Sequence, residues 1–139
     1  MAQIITTSTP GKEREYWSKT IVVTIRNFMR KPTPDSEAED MVAYIIIALS
    51  EISKGIDQSV AAWEKRGYWV KADKYRLEWK WAENTYSKLS TSYKLRDWDT
   101  ITTLLIDAMQ KFANIKVSDR HRMGKPWVGA KLNYQKLNE

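Results

Sequence analysis

Cysteine is absent from this 139-residue chain, and histidine occurs once, as His121. The first absence excludes disulfides and thiolate metal sites. The second leaves no Glu-x-x-His pairs of the kind that build di-metal carboxylate bundles, and no Ser/His/Asp arrangement. With 5 glycines and 4 prolines there is no Gly-rich loop to cradle a phosphate. Long apolar runs are lacking too: the longest, Met41 to Leu49, falls well short of a membrane span. The opening MAQIITTSTPGK has neither the basic nor the apolar region of a signal peptide, so the expected place is the cytoplasm, or a particle assembled there. No helix-turn-helix, zinc-finger, RNP or GXXG pattern occurs. These absences turn the reading towards binding and assembly, with no enzyme activity and no cofactor expected.

What the chain has in excess is tryptophan beside lysine and arginine. Four of its seven tryptophans fall in AAWEKRGYWVKADKYRLEWKWAENTY, residues 61–86. At about 100° per residue, Trp63, Val70, Leu77 and Trp81 share one helical face, and Tyr68, Tyr75, Trp79 and Tyr86 share a second. Two apolar faces predict two neighbours. Lys65, Arg66, Trp69, Arg76 and Lys80 form a third strip, interrupted by Asp73, that can meet an anion.

Periodicity and punctuation predict an all-α fold: a four-helix bundle with an extended N-terminal arm over residues 1–9, a helical domain over 10–117 and a basic tail over 118–139. Thr9-Pro10 reads as an N-cap followed by proline at the first helical position, opening a helix over about 10–31 that Pro32 ends. Trp17, Ile21, Thr24, Ile25 and Phe28 form its apolar face. Thr33-Pro34 opens a second helix, about 34–54, whose first turns carry Asp35, Glu37, Glu39 and Asp40, the sign that the helix dipole favours. Its nearly all-round apolar run predicts a central position. Gly55 reads as its C-cap and Asp57 as the next N-cap. A third helix over about 58–89 contains Gly67, which predicts a bend or a close approach there. Ser90-Thr91-Ser92 reads as a breaker, followed by a fourth helix over about 94–116. The tail is read as irregular, with one short helical turn near its end.

Charge alternates along the chain. Counting Lys and Arg against Asp and Glu, residues 10–31 carry +4, 32–64 carry −6, 65–96 carry +6, 97–115 carry −2 and 116–139 carry +4. Such blocks either neutralise each other between packed helices or face opposite ways, and only the second arrangement implies an anionic partner. On the first helix Lys12, Lys19, Arg26 and Arg30 lie within about 40° of one another, opposite the apolar face, and Lys31 follows. That row can follow a phosphate backbone, although a row of this kind is also what a solvated face looks like. Arg120 and Arg122, with Lys116, Lys125, Lys131 and Lys136, make the tail a second basic element, and Trp69 is the candidate for stacking on a base. Glu37, Glu39, Asp40 and Glu51 could suggest a magnesium site, but they fit dipole-complementing acids at least as well, so no metal is expected.

A small, basic, cysteine-free helical chain with an N-terminal arm, a basic first helix and a bundle containing WEKRGYWVKADKYRLEW resembles the coat proteins of archaeal filamentous viruses, the lipothrixvirus and rudivirus group. The resemblance implies a structural virion protein whose N-terminal helices wrap double-stranded DNA without reading its sequence. It also implies assembly with itself, or with a related coat protein, into a helical filament; a lipid membrane around such a particle is left open. Lys12, Lys19, Arg26 and Arg30 would then face DNA and the bundle would form the shell. The apolar face of the first helix also allows it to fold back on the bundle. Two other readings suit the same residues: a helical RNA-binding small subunit of a ribonucleoprotein effector complex, and an adaptor that touches only protein.

Overall fold

The computed structural model describes residues 9–138, which are all-helical with no strand among them. Five helices follow in order: α1 (Pro10–Met29), α2 (Ser36–Lys65), α3 (Trp69–Lys94), α4 (Trp98–Lys111) and α5 (Ala130–Leu137). Apart from Thr9, the expected arm lies outside the described residues.

Thr9 caps α1 by accepting the Lys12 amide at 3.2 Å, with Pro10 at the first helical position. The second helix starts later than Thr33-Pro34 suggested. Asp35 is its cap, accepting the Ala38 amide at 2.9 Å, and Pro34 stays outside.

The largest departure is at the two glycines. Gly55 does not end α2. The apolar stripe runs through it, with Ile52, Ile56 and Val60 all buried, and that burial outweighs the roughly 1 kcal/mol a helical glycine costs relative to alanine. Asp57 is therefore mid-helix. The chain breaks instead at Gly67, whose φ of +82° lies in the left-handed region. Its amide donates to the Glu64 carbonyl at 3.0 Å and the Tyr68 amide donates to the Trp63 carbonyl at 2.9 Å, the Schellman pattern that closes a helix. The expected 58–89 helix is thus the end of α2 joined to α3 by a tight turn. Of the four residues expected on one face, Trp63 and Trp81 are half-buried, while Val70 and Leu77, nearer the hairpin end of α3, are exposed.

These two positions call for opposite substitution effects. No atom lies within 4 Å of a Cβ built on either glycine. Gly55→Ala is expected to raise stability by about 0.5–1 kcal/mol, and Gly67→Ala, forced into left-handed backbone, to lower it by about 1–2 kcal/mol. Urea denaturation midpoints test both.

Ser90, Thr91 and Ser92 do not break α3, which continues to Lys94. Thr91 bonds back to the Ser87 carbonyl and Ser92 is buried. The turn comes at Arg96, a non-glycine residue at φ +51°, held by Glu39 at 3.1 Å and by its guanidinium lying 4.2 Å from the Tyr93 ring centre. Asp97 then caps α4, which spans 98–111 and not 94–116.

Contacts fix the topology. Tyr44 donates to Thr20 at 2.9 Å and Lys31 reaches Glu37, so α1 and α2 are antiparallel. Trp63 meets Tyr75 and Glu39 meets Arg96, so α2 and α3 are antiparallel. Trp81 meets Phe112, and Phe28 stacks on Trp98, which places α4 against α3 and α1 and closes a four-helix bundle around Ile21, Ile25, Ile45, Leu49, Leu89 and Leu105. As expected, α2 is central; it packs on α1, α3 and α5. Its last turns, with the first turns of α3, form a hairpin end.

The segment after Val117 is not a loose tail. Trp127 is only 2% exposed and donates from Nε1 to Glu37 at 3.0 Å. Tyr134 of α5 packs edge-on against Tyr93. Gly129, at the start of α5, has no side chain to cap with, and Asp40 of α2 takes that role by accepting the Lys131 amide at 2.8 Å. Glu37 and Asp40 at the start of α2 thereby gain hydrogen-bond donors from this segment.

Candidate nucleic-acid interface

Each basic residue singled out in the sequence has a definite environment. Lys19 pairs with Glu15 at 2.9 Å. Lys31, largely buried against the α1–α2 loop, is held by Glu37 at 2.8 Å and Asp35 at 3.0 Å, and its pKa is raised by those two carboxylates. Arg76 is held by Glu64 at 2.7 Å and by Asp73 at 2.8 Å. Lys12, Lys65, Arg66, Lys80, Arg120 and Arg122 are exposed and make no ion pair with a described residue. Trp69 is 59% exposed at the hairpin end. The basic row of α1 is therefore not uniform: its two ends differ, and most of its cations already have carboxylate partners.

The structure does bring two of these residues, Arg26 and Arg30, to one place. After α4 the chain returns along α1 as a strap. Arg26 clasps it through Nη2 to the Val117 carbonyl at 2.8 Å and through Nη1 to Asp119 at 3.0 Å, and Arg30 reaches the same Asp119 oxygen at 3.4 Å. Arg120 and Arg122 follow Asp119 immediately and are exposed. Two guanidinium groups thus share a single carboxylate, and the exposed Arg120 and Arg122 stand one and three residues beyond it in the chain, so the strap and α1 together carry a positive surplus. The Arg30 and Arg26 guanidiniums hold the Asp119 carboxyl below its ordinary pKa of 3.8, so it stays ionised. Because Asp119 is itself largely exposed, this pairing is of the weak, water-screened kind that a phosphate can exchange with. Planar guanidiniums suit the bidentate recognition of phosphate oxygens.

Asp119 was missed in the sequence, where it is one acid in a basic run, and so was Arg14. Arg14 donates to the Tyr75 hydroxyl and lies 5.3 Å and 5.5 Å from the Tyr75 and Trp79 ring centres. It therefore ties α1 to α3 and is not a free cation.

A second charge network is structural. Glu39 accepts from Lys131 at 2.6 Å and from Arg96 at 3.1 Å, joining α2 to α5 and to the α3–α4 turn. Lys131 first, with Arg96, depresses the Glu39 pKa below 4.5, and Lys31 and the Trp127 indole do the same for Glu37. A depressed carboxylate contributes stability above its unfolded pKa and loses it as pH falls through the folded one. The melting temperature is therefore expected to drop between about pH 5 and pH 3, and Glu39→Gln is expected to flatten that fall. Thermal melts across this pH range test it.

Among the described residues no three His, Cys, Asp or Glu gather as a metal site would require, and no helix is long and apolar enough to cross a membrane. Comparison with protein-family models, curated proteins and solved structures finds no match for the chain.

Proposed function

We propose that the chain is a structural, self-assembling nucleic-acid-binding protein of the coat-protein kind, which lies along double-stranded DNA through phosphate contacts and performs no catalysis. The observation that carries this reading is the docking of the strap on α1, where Arg26 and Arg30 share Asp119 and the exposed Arg120 and Arg122 follow it directly in the chain. Four arginines on this part of the chain can supply backbone contacts without base readout, two of them, Arg26 and Arg30, mounted on α1 and two on the exposed strap. Lys12 lies on the same side of α1 nearer its start and can extend the track.

The pairing of Lys19 and Lys31 inside the molecule favours the protein-only adaptor as a second reading. Binding to duplex DNA under a salt titration separates them. With about four phosphates neutralised, the logarithm of the affinity is expected to fall against the logarithm of salt with a slope of about −3 to −4, with little dependence on sequence. No binding at low salt leaves the adaptor; tight binding to RNA alone, in discrete particles, leaves the ribonucleoprotein subunit.

A further inference from the structure

Apart from the arginine flank, two further groups of charges without an ion pair among the described residues lie at opposite ends of the bundle. At the α2–α3 hairpin end Lys65, Arg66, Lys71 and Lys74 make no ion pair with a described residue, and the one acid among them, Asp73, is taken by Arg76. Lys71 lies 4.5 Å from the Trp63 ring centre. Between these cations the large side chains Tyr68, Trp69 and Val70 point outwards, with Val70 74% exposed. At the other end, about 39 Å away along the 26 residues of α3, Asp97 and Asp99 open α4 with no basic partner, beside Leu95, which is 73% exposed. Residues 97–110 contain three acids and no cation; of the two cations just before them, Arg96 is taken by Glu39 and Lys94 is exposed. This end also carries a groove of about 250 Å³ whose walls include Phe28, Met29, Trp98, Asp99 and Lys31; Lys31 is held by Asp35 and Glu37, which leaves Asp99 as the unpaired charge of the groove. An aromatic and basic end with exposed Trp69 and Val70 therefore stands opposite a largely apolar groove whose unpaired charge is Asp99.

We propose that the hairpin end of one copy seats in this groove of the next, with Trp69 entering between Met29 and Trp98 and with Lys71 and Lys74 facing Asp99. The contact rests on the self-assembly reading above and gives it a surface. Because the two patches differ, the contact is heterologous and propagates head to tail into an open array. Arg26 and Arg30 lie about 160° round α1 from Phe28 and about 60° and 100° from Met29, the two α1 residues that border the groove, so in the array the arginines stand beside each contact and outside it. Aliphatic Val70 has no use in a phosphate contact and gains from burial against protein.

The test uses the full chain without nucleic acid, followed by sedimentation velocity over a concentration series. Lys71→Glu/Lys74→Glu and Asp99→Lys/Thr103→Lys are each expected to raise the concentration needed for assembly at least tenfold. An equimolar mixture of the two is expected to restore it, because each mutated end then meets a complementary one. Far-UV circular dichroism identical to the native chain establishes that both variants are folded, and Trp69→Ser supplies a charge-neutral version of the same loss. Assembly unaffected by all three variants, or lost without rescue on mixing, overturns the contact while leaving self-assembly in place. A native chain that stays monomeric with and without duplex DNA overturns both. Hairpin residues needed for cosedimentation with anionic vesicles, in a chain that remains monomeric, assign that end to a lipid surface instead.

Discussion

Truncating Trp127 to alanine is expected to cost about 3–5 kcal/mol, the range for removing a large aromatic side chain from a well-packed site. The indole is almost fully buried, and its Nε1 satisfies one oxygen of Glu37. Truncation leaves a cavity beneath the C-terminal segment and deprives the carboxylate of a donor, while Lys31 and Lys125 remain nearby. Because the same segment carries Tyr134 onto Tyr93 and Lys131 onto Glu39, its detachment opens the α2–α5 contact as a unit. Trp127→Phe keeps most of the apolar volume and loses only the hydrogen bond, so a cost nearer 1–2 kcal/mol is expected. Chemical denaturation of the two variants checks the difference. Near-native stability for Trp127→Ala would mean that residues 118–138 are an appendage after all.

The second large effect concerns binding. Reversing three charges at once, Arg30→Glu/Arg120→Glu/Arg122→Glu, is expected to weaken duplex DNA binding by about two orders of magnitude or more at low salt and to flatten the salt dependence. Arg26 is left in place because it is half-buried and holds the Val117 carbonyl, so its loss would release the strap and confuse folding with binding. The three chosen side chains are exposed, and their replacement is expected to shift stability by no more than about 0.5 kcal/mol each. Reversal of Lys65 and Arg66 at the hairpin end provides the contrast: if those residues carry the phosphates, the effect moves there. Fluorescence anisotropy with a labelled duplex reads both.

The places where the sequence was legible, and where it was not, follow from the physics of each element. The apolar face of α1 could be read because Trp17, Ile21, Thr24, Ile25 and Phe28 keep helical spacing, but burial goes further round the helix than that face and takes in Ser18, Thr20, Val22 and Val23. The central position of α2 followed from a run that is apolar all round. Its end did not, because Gly55 and Gly67 look alike in the sequence and differ only in what surrounds them. Burial of Ile52, Ile56 and Val60 carries the helix through the first, whereas the second adopts positive φ. The C-terminal segment misled because Gly124, Pro126 and Gly129 punctuate it and its charge is high. What makes it part of the core is a single tryptophan whose partner, Glu37, lies ninety residues earlier. Among the candidate site residues, charge and face could be read but pairing could not. Lys19, Lys31 and Arg76 have carboxylates that helix periodicity or the antiparallel hairpin supplies, and Asp119 reaches Arg26 and Arg30 only because the strap folds back along α1.

That return of the strap brings a basic stretch after Val117 back against the basic row of α1, joined through Asp119 to Arg26 and Arg30. Electron microscopy of the native chain mixed with long duplex DNA at low salt tests the resulting picture most directly. Regular filaments that sheathe the duplex, that dissolve as salt is raised and that do not form with the arginine-reversed variant are the expected result. Bare DNA beside dispersed single bundles would contradict it.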